Sequence, residues 1–175
     1  MIKNDYSEVE HIIREAFAGV TLGKGVGLWW GQVLDDYKMP ASIADYRANH
    51  EQSEERLYWS RIPVSDLNYC NSSLSFFDAE GMRFHLPAFL IAELHGEYGM
   101  GNLVWTLDYT GSDYSTKQFS MLNTQQRMAI RAFLLFVEKD IYDGGTHWSE
   151  FDLPYVEKAL AIYCIEELCN GGGGQ

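Results

Sequence analysis

The sequence predicts a mainly α-helical fold of the α+β class, a compact single domain of about six or seven helices with a small antiparallel β element. Two observations predict the helices: apolar residues recur every three or four positions near the N-terminus, and a capped apolar run follows Asn123. A third observation predicts the β element, because residues 102–109 alternate in polarity and are rich in strand-forming types.

The N-terminal part of the sequence predicts three helices in succession. The first begins at Ser7, which fits a capping box with Glu10 three residues later. Its apolar stripe consists of Val9, Ile12, Ile13, Ala16, Phe17 and Val20. A flexible connector rich in glycine follows, then a short helix over 28–37 and a polar helix that starts at Ser42 and runs towards Arg56.

The middle of the chain holds the predicted β element. Residues 74–86 have two apolar arms around a turn that contains Gly81, a pattern typical of a hairpin, although the first arm also fits a helix. Pro87 occupies a position suited to the first turn of a helix, which we expect to end at one of the glycines that follow. Residues 102–109 are then the best strand candidate.

The C-terminal part predicts two further helices. The clearer one begins at Asn123, where Gln126 completes a capping box, and continues to Asp140. The last one begins near Asp152 and ends before the terminal glycines. No repeat or interior break in composition divides the chain, so we expect one globular domain over residues 1–170 and a flexible glycine-rich tail over residues 171–175.

The charge of the chain bears on the class of partner. The 25 acidic residues outnumber the 13 basic ones, which gives a formal net charge of −12. Such a surface repels nucleic-acid phosphates and anionic lipid and attracts a basic protein, although solvation of the surface accounts for the charge equally well. We therefore expect no nucleic-acid partner.

The location of the protein follows from its apolar runs and cysteines. No apolar run approaches the length of a membrane span, and the N-terminus lacks the pattern of a secretory signal, so we expect a cytoplasmic protein with no membrane partner. Cys70, Cys164 and Cys169 match no redox or zinc spacing and are predicted to be buried thiols.

Motifs of known catalytic or metal centres are not recognisable in the sequence. The glycine run over 23–27 lacks the Lys-Ser/Thr ending of a phosphate-binding loop. Glu93 and Glu97 share a helix face that does not include His95, and the H-E-x-x-H pattern is absent. We predict no catalytic residue, no metal and no cofactor, and favour a protein that is not an enzyme.

Three segments of the chain resemble a known family. The W-x-x-I-P pattern of residues 59–63 is followed by L-S-F-F-D-A-E-G-M-R-F-H-L-P-A-F over 74–89 and by the apolar run that begins at Leu122. Together, over about residues 20–140, they are similar to small bacterial proteins known only as a domain of unknown function. His85 stands where that family usually has an aromatic residue, most often tyrosine. The resemblance implies a bacterial cytosolic protein and supplies no activity, cofactor or catalytic residue.

Two functions are compatible with these observations. The first is a non-catalytic protein-interaction domain, for instance an immunity protein that neutralises a basic toxin. Its predicted contacts are Asp140, Asp143, Trp148, Glu150 and Asp152. The second is a small-molecule-binding protein or an unrecognised enzyme with aromatic and polar groups around a pocket. Its predicted pocket residues are Arg83, His85, His95 and Trp105.

Overall fold

The structure is a computed structural model that describes residues 6–101, 103–108 and 112–164. These residues form helices of unequal length. The helices are α1 (Ser7–Ala16), α2 (Leu28–Asp35), α3 (Pro40–Asp45), α4 (Val64–Tyr69), α5 (Ala79–Leu94), α6 (Leu103–Leu107), α7 (Asp113–Gln118), α8 (Thr124–Tyr142) and α9 (Leu153–Ile162). A π-helical turn, Tyr46–His50, extends α3, and two 3-10 turns occupy Trp59–Arg61 and Asn71–Ser75. The mainly helical prediction is confirmed, whereas no strand occurs among the described residues.

Helix α5 lies at the centre of the molecule. Twelve of its sixteen residues are buried, so it is apolar around its whole circumference. It contacts α1, α4, α6, α7, α8 and the turn at Trp59–Arg61. The buried side chains of the described residues form one continuous cluster that reaches from Ile13 in α1 to Tyr163 after α9.

The predicted hairpin over 74–86 is wrong. Leu74 belongs to a 3-10 turn, and α5 starts directly after Asp78, whose carboxylate accepts a hydrogen bond from the Gly81 N–H at 2.8 Å. Because α5 is buried on all sides, its apolar residues show no helical period that distinguishes it from a strand. Pro87 lies inside α5 instead of opening it, and it cannot donate a hydrogen bond to the Arg83 carbonyl.

The strand predicted over 102–109 is wrong as well. Its described residues form the short helix α6, which buries Leu103, Val104 and Leu107 and exposes Trp105. Burial at the first, second and fifth positions is the spacing of one helical face. The alternation in the sequence was too short to separate the two periods.

Several predicted helices are confirmed, with differences at their ends. The capping box of α8 is present, because Asn123 Oδ1 accepts from the Gln126 N–H at 2.9 Å and Gln126 Oε1 accepts from the Asn123 N–H at 3.1 Å. The capping box predicted at Ser7 is wrong, since Tyr6 precedes α1 and makes no side-chain cap. The helix expected from Ser42 begins earlier, in α3, and ends in the π-helical turn.

The cysteines and the tail have different outcomes. Cys70 is a buried thiol as predicted, whereas Cys164 is exposed and disulfide-bonded, so the prediction is wrong for this residue. Cys169 and the tail over 171–175 lie outside the described residues. None of the helices in the described ranges combines the length and the hydropathy that crossing a bilayer requires.

Candidate functional site

A cavity of about 480 Å³ lies between the start of α2, the segment over 49–66 and the buried side of α5. Leu28 and Trp29 line it from α2, and His85 lines it from α5. Carboxylates, an arginine and a second histidine line the remaining wall: Glu54, Glu55, Asp66, Arg61 and His50. The volume is within the range of pockets that hold small molecules.

The glycine segment over 23–27 packs on the first turn of α5 and leads into the cavity residues Leu28 and Trp29. The Val26 N–H donates to Asp78 Oδ1 at 3.1 Å, and the Lys24 N–H donates to Glu80 Oε2 at 3.1 Å. A Cβ on Gly25 would lie 2.6 Å from the backbone nitrogen of Gly81, so only glycine permits this approach. The segment is thus held in place by the acidic residues that begin α5.

Glu54 joins the cavity wall to the N-terminus of α2. Its Oε1 accepts a hydrogen bond from the Trp29 N–H at 2.6 Å, and the Tyr46 hydroxyl donates to Oε2 at 3.4 Å. Burial raises the pKa of Glu54, and the backbone N–H groups of Trp29 and Trp30 act in the opposite direction. Arg56 lies 3.9 Å from Glu54 Oε2 and donates to the Gly23 carbonyl at 2.9 Å.

His85 presents a buried hydrogen-bond acceptor. Its ring is fully buried, stacked on Phe77 at 4.4 Å between centroids, and its Nδ1 lies 2.8 Å from the Gly81 carbonyl oxygen. A carbonyl oxygen only accepts, so Nδ1 carries the proton and Nε2 carries a lone pair. Nε2 has no hydrogen-bond partner within the described part of the chain. Burial lowers the pKa of His85 to about 4, so the imidazole is neutral at pH 7.

The outer wall of the cavity combines aromatic rings with charge. The Trp29 indole is stacked on the His50 ring at 3.5 Å between centroids, with an angle of 9° between their planes. The Arg61 guanidinium lies 4.1 Å from the centre of the Tyr58 ring. In the ranges that the structure describes, no three His, Cys, Asp or Glu side chains are placed to hold a metal ion.

The four residues predicted to share a pocket do not lie together. His85 lines the cavity described above, whereas His95 lines a separate cavity of about 280 Å³ and binds Glu10 Oε2 through Nε2 at 2.8 Å. Trp105 is exposed and lines a third cavity beside α6. Arg83 is half-buried on α5 and lines none of these three cavities.

Two of the five predicted partner contacts are buried. Trp148 is only 5% exposed and donates from Nε1 to Glu93 Oε1 at 3.1 Å, so it is not available as a surface anchor. Asp152 is buried and accepts from the Ser149 N–H at 2.9 Å. The glycines before Trp148 suggested an exposed loop, but the indole has an apolar body that packs in the core. The remaining predicted contacts are two exposed residues, Asp143 and Glu150, and the half-buried Asp140.

Glu93 is a buried acid whose setting the sequence did not reveal. Burial, with a smaller repulsion from Asp152, raises its pKa to about 7, while hydrogen bonds from Trp148 and the Leu103 N–H act in the opposite direction. His147 Nε2 lies 3.8 Å from its Oε1. The one signal in the sequence was an acid inside the otherwise apolar run over 86–94.

The comparison with known proteins identifies the family of the chain. The model of a family of unknown function (DUF6714) matches residues 5–149, and the chain belongs to this family. The resemblance found in the sequence to a family without an assigned function is therefore confirmed. No curated protein and no solved structure matches the chain significantly.

Proposed function

We propose that this member of the family binds a small polar molecule in the cavity lined by His85. The observation that carries the proposal is the unpartnered Nε2 of a fully buried imidazole at a cavity of about 480 Å³. A buried acceptor without a partner costs about 1–3 kcal/mol relative to one that is satisfied. A ligand that donates a hydrogen bond to Nε2 recovers this free energy, so the folded protein is prepared to bind it.

The arrangement of the site supports binding of a ligand in one orientation. The Gly81 carbonyl fixes the tautomer of His85, and the stack on Phe77 fixes the plane of the ring. Asp78 also joins the start of α5 to the glycine segment, which leads into the cavity residues Leu28 and Trp29. A preformed site loses little conformational entropy when the ligand binds.

Thermal unfolding with a library of small polar compounds tests this proposal. We expect at least one amine, amide, alcohol or acid of about fifteen or fewer heavy atoms to raise the Tm of the wild type, because ligands that bind the folded state stabilise it. The same compound should have no effect on His85→Phe, which keeps a planar ring but lacks Nε2.

The matched control is His95→Phe, since His95 lines a different cavity. This variant should respond to the compound as the wild type does. A library in which no compound stabilises the wild type, or one in which the active compounds stabilise His85→Phe equally, would contradict the proposal.

A second proposal is that the acidic surface binds a basic protein, such as a toxin that the chain neutralises. It is supported by two aromatic residues beside the predicted contacts Asp143 and Glu150, because Tyr142 is 69% exposed and Phe151 is 87% exposed. Exposed aromatic side chains flanked by acids suit a basic partner. Pull-down experiments with candidate basic proteins at low and moderate salt test it, with Phe151→Ser expected to weaken capture, and failure of every candidate at both salts would count against it.

A further inference from the structure

We infer that the cavity lined by His85 selects a cationic group that carries N–H donors, such as an amidinium or a guanidinium, an inference that rests on the proposed function. The fully buried His85 sets the first condition. Because Nδ1 of His85 is committed to the Gly81 carbonyl, Nε2 only accepts at neutral pH. The ligand atom that reaches it must carry a hydrogen, which excludes a carboxylate or a fully ionised phosphate at that position.

The charged groups of the wall set the second condition. Three carboxylates line the cavity, Glu54, Glu55 and Asp66, against one guanidinium, Arg61. A positively charged ligand is therefore attracted, and an anion is repelled. The side chain of Glu54 is 2% exposed, so its interactions are weakly screened by solvent.

The carboxylates keep the capacity to accept further hydrogen bonds. Two backbone bonds to Glu55, from the N–H groups of Leu57 and Tyr58, end on Oε1 at 2.9 Å, and the Arg56 N–H also bonds to this carboxylate. The hydroxyl of Ser65 donates to Oδ1 of Asp66 at 3.2 Å. A carboxylate has about four acceptor sites, so the second oxygen of each can accept from a ligand.

The positive groups near the wall are engaged by the protein. Arg61 lies on the face of the Tyr58 ring, and Arg56 is held by the carbonyls of Gly23 and Gly25 at 2.9 and 3.4 Å. Planar amidinium and guanidinium groups combine charge with several N–H donors and so match acceptors that lie in different directions.

Three probes of the same size test the inference: benzamidine, which is a cation with N–H donors, benzamide, which is neutral, and benzoate, which only accepts. Binding is measured by titration of the full chain labelled with 15N at histidine, with the His85 side-chain resonances as the reporter. We expect benzamidine to bind about ten-fold or more tightly than benzamide and benzoate not to bind, because the wall carries excess negative charge.

Asp66→Asn isolates the charge effect without touching His85. It should weaken benzamidine about five-fold and leave benzamide unchanged, as expected for removal of one partly exposed charge. The matched control is Asp113→Asn, another aspartate in the first turn of a short helix, which lies outside the cavity and should change neither affinity.

Other results overturn the inference, and they separate it from the proposed function. Tighter binding of benzamide or benzoate, with shifts of the His85 resonances, overturns the cation preference and leaves the proposed function standing. If none of the three probes binds, the preference is overturned, and the compound library alone then decides the proposed function. Benzamidine that binds without shifting His85, and equally to Asp66→Asn, binds elsewhere; this result overturns the preference and again leaves the proposed function to the compound library.

The guanidinium can belong to a free small molecule or to an arginine side chain, and two further probes distinguish the sources. Methylguanidinium and the peptide Gly-Arg-Gly are titrated under the same conditions. Equal affinities indicate a free small molecule, and tighter binding of the peptide indicates an arginine side chain. Failure of both to shift the His85 resonances overturns the preference for a guanidinium.

Discussion

Helix α5 buries two ionisable side chains, one near its middle and one near its C-terminal end, and burial shifts their pKa values in opposite directions. His85 and Glu93 are eight residues apart, or about 12 Å along the helix axis, and both are almost inaccessible to solvent. Burial lowers the pKa of His85 to about 4 and raises the pKa of Glu93 to about 7. Each group leaves one atom without a hydrogen-bond partner among the described residues: Oε2 of Glu93, whose Oε1 accepts from the Trp148 indole, and Nε2 of His85. Of the two residues, His85 lines the cavity of about 480 Å³ and Glu93 does not.

This difference separates a structural site from the proposed binding site on one helix. At the Glu93 end, Trp148 fills the space beside the acid. Its ring lies nearly perpendicular to those of Phe133 and Phe136, with 6.1 Å between ring centroids in both pairs. The segment before α9 is thereby attached to the core. At the His85 end, the corresponding space is left as the cavity. The comparison teaches that an unsatisfied buried polar group points to a ligand only where a cavity lies beside it.

The largest expected effect comes from removing the Trp148 side chain that packs beside Glu93. Trp148→Ala removes a buried indole and the hydrogen bond to Glu93, so we expect the free energy of unfolding to fall by about 3–5 kcal/mol. Urea denaturation measures it. Phe151→Ala, which truncates an aromatic residue that is 87% exposed, should change stability by less than about 0.5 kcal/mol. Equal losses in the two variants would contradict the structural role assigned to Trp148.

The next effect depends on pH and concerns Glu93 alone. The folded-state pKa of about 7 lies above the ordinary 4.5, so the contribution of Glu93 to stability is complete below pH 4.5 and is lost as pH rises through 7. Glu93→Gln keeps an oxygen for Trp148 and removes the charge. We expect it to stabilise the protein by about 3 kcal/mol at pH 8 and to change stability little at pH 4.5. Denaturation at both pH values tests this, and a gain of the same size at pH 4.5 would show that ionisation is not the cause.

A smaller effect is expected at the His85 end, where the glycine segment meets α5. Gly25→Ala places a methyl group against the Gly81 backbone, so we expect a loss of about 1–3 kcal/mol. In Gly99→Ala the new Cβ would have no neighbour closer than 4.0 Å, and this variant is the control. Urea denaturation of both variants measures the difference. Equal stabilities would mean that the segment is not held as closely as described.

The smallest expected effect is on the pH dependence of stability, because the contributions of His85 and Glu93 cancel in the wild type. The contribution of His85, whose pKa falls from 6.5 to about 4, is complete above pH 6.5 and is lost as pH falls, which is opposite in sign to the contribution of Glu93. Between pH 4.5 and 6.5, His85→Phe and Glu93→Gln should change the slope of the free energy of unfolding against pH in opposite directions. The double variant should match the slope of the wild type within about 0.5 kcal/mol per pH unit. A slope that follows either single variant would show that one of the two groups is not neutral in the folded protein.

The sequence predicted the elements whose signals are local. The amphipathic stripe of α1 and the Asn123 capping box of α8 depend on residues within one or two turns, and both helices are present. The part of α5 after Pro87 is helical as predicted, whereas the part before it was predicted wrongly as an arm of a hairpin. Because α5 is surrounded by other helices, it has no polar face and therefore no period to detect. The short α6 was mistaken for a strand for a related reason, since five residues do not establish a period.

The candidate site was only partly predictable. His85 was named as one of a few polar groups near aromatic residues, but its neighbours in the cavity, Glu54 and Asp66, precede it by 31 and 19 positions. Asp66 lies on α4, which packs against α5, and Glu54 lies in the segment that follows the π-helical turn. The residues first grouped with it, His95 and Trp105, lie near it in sequence and face other cavities. The residues that the sequence predicted to share one pocket therefore line different cavities, because closeness along the chain does not decide which side chains meet in the fold.

One oxygen atom of Asp78 connects two parts of the molecule that would otherwise open independently. Oδ1 accepts from the Gly81 N–H within α5 and from the Val26 N–H of the glycine segment. Fraying of the first turn of α5 removes the acceptor for both amides at once, so the two amides exchange with solvent in one cooperative opening. The first turn of α5 and the glycine segment are therefore expected to open together.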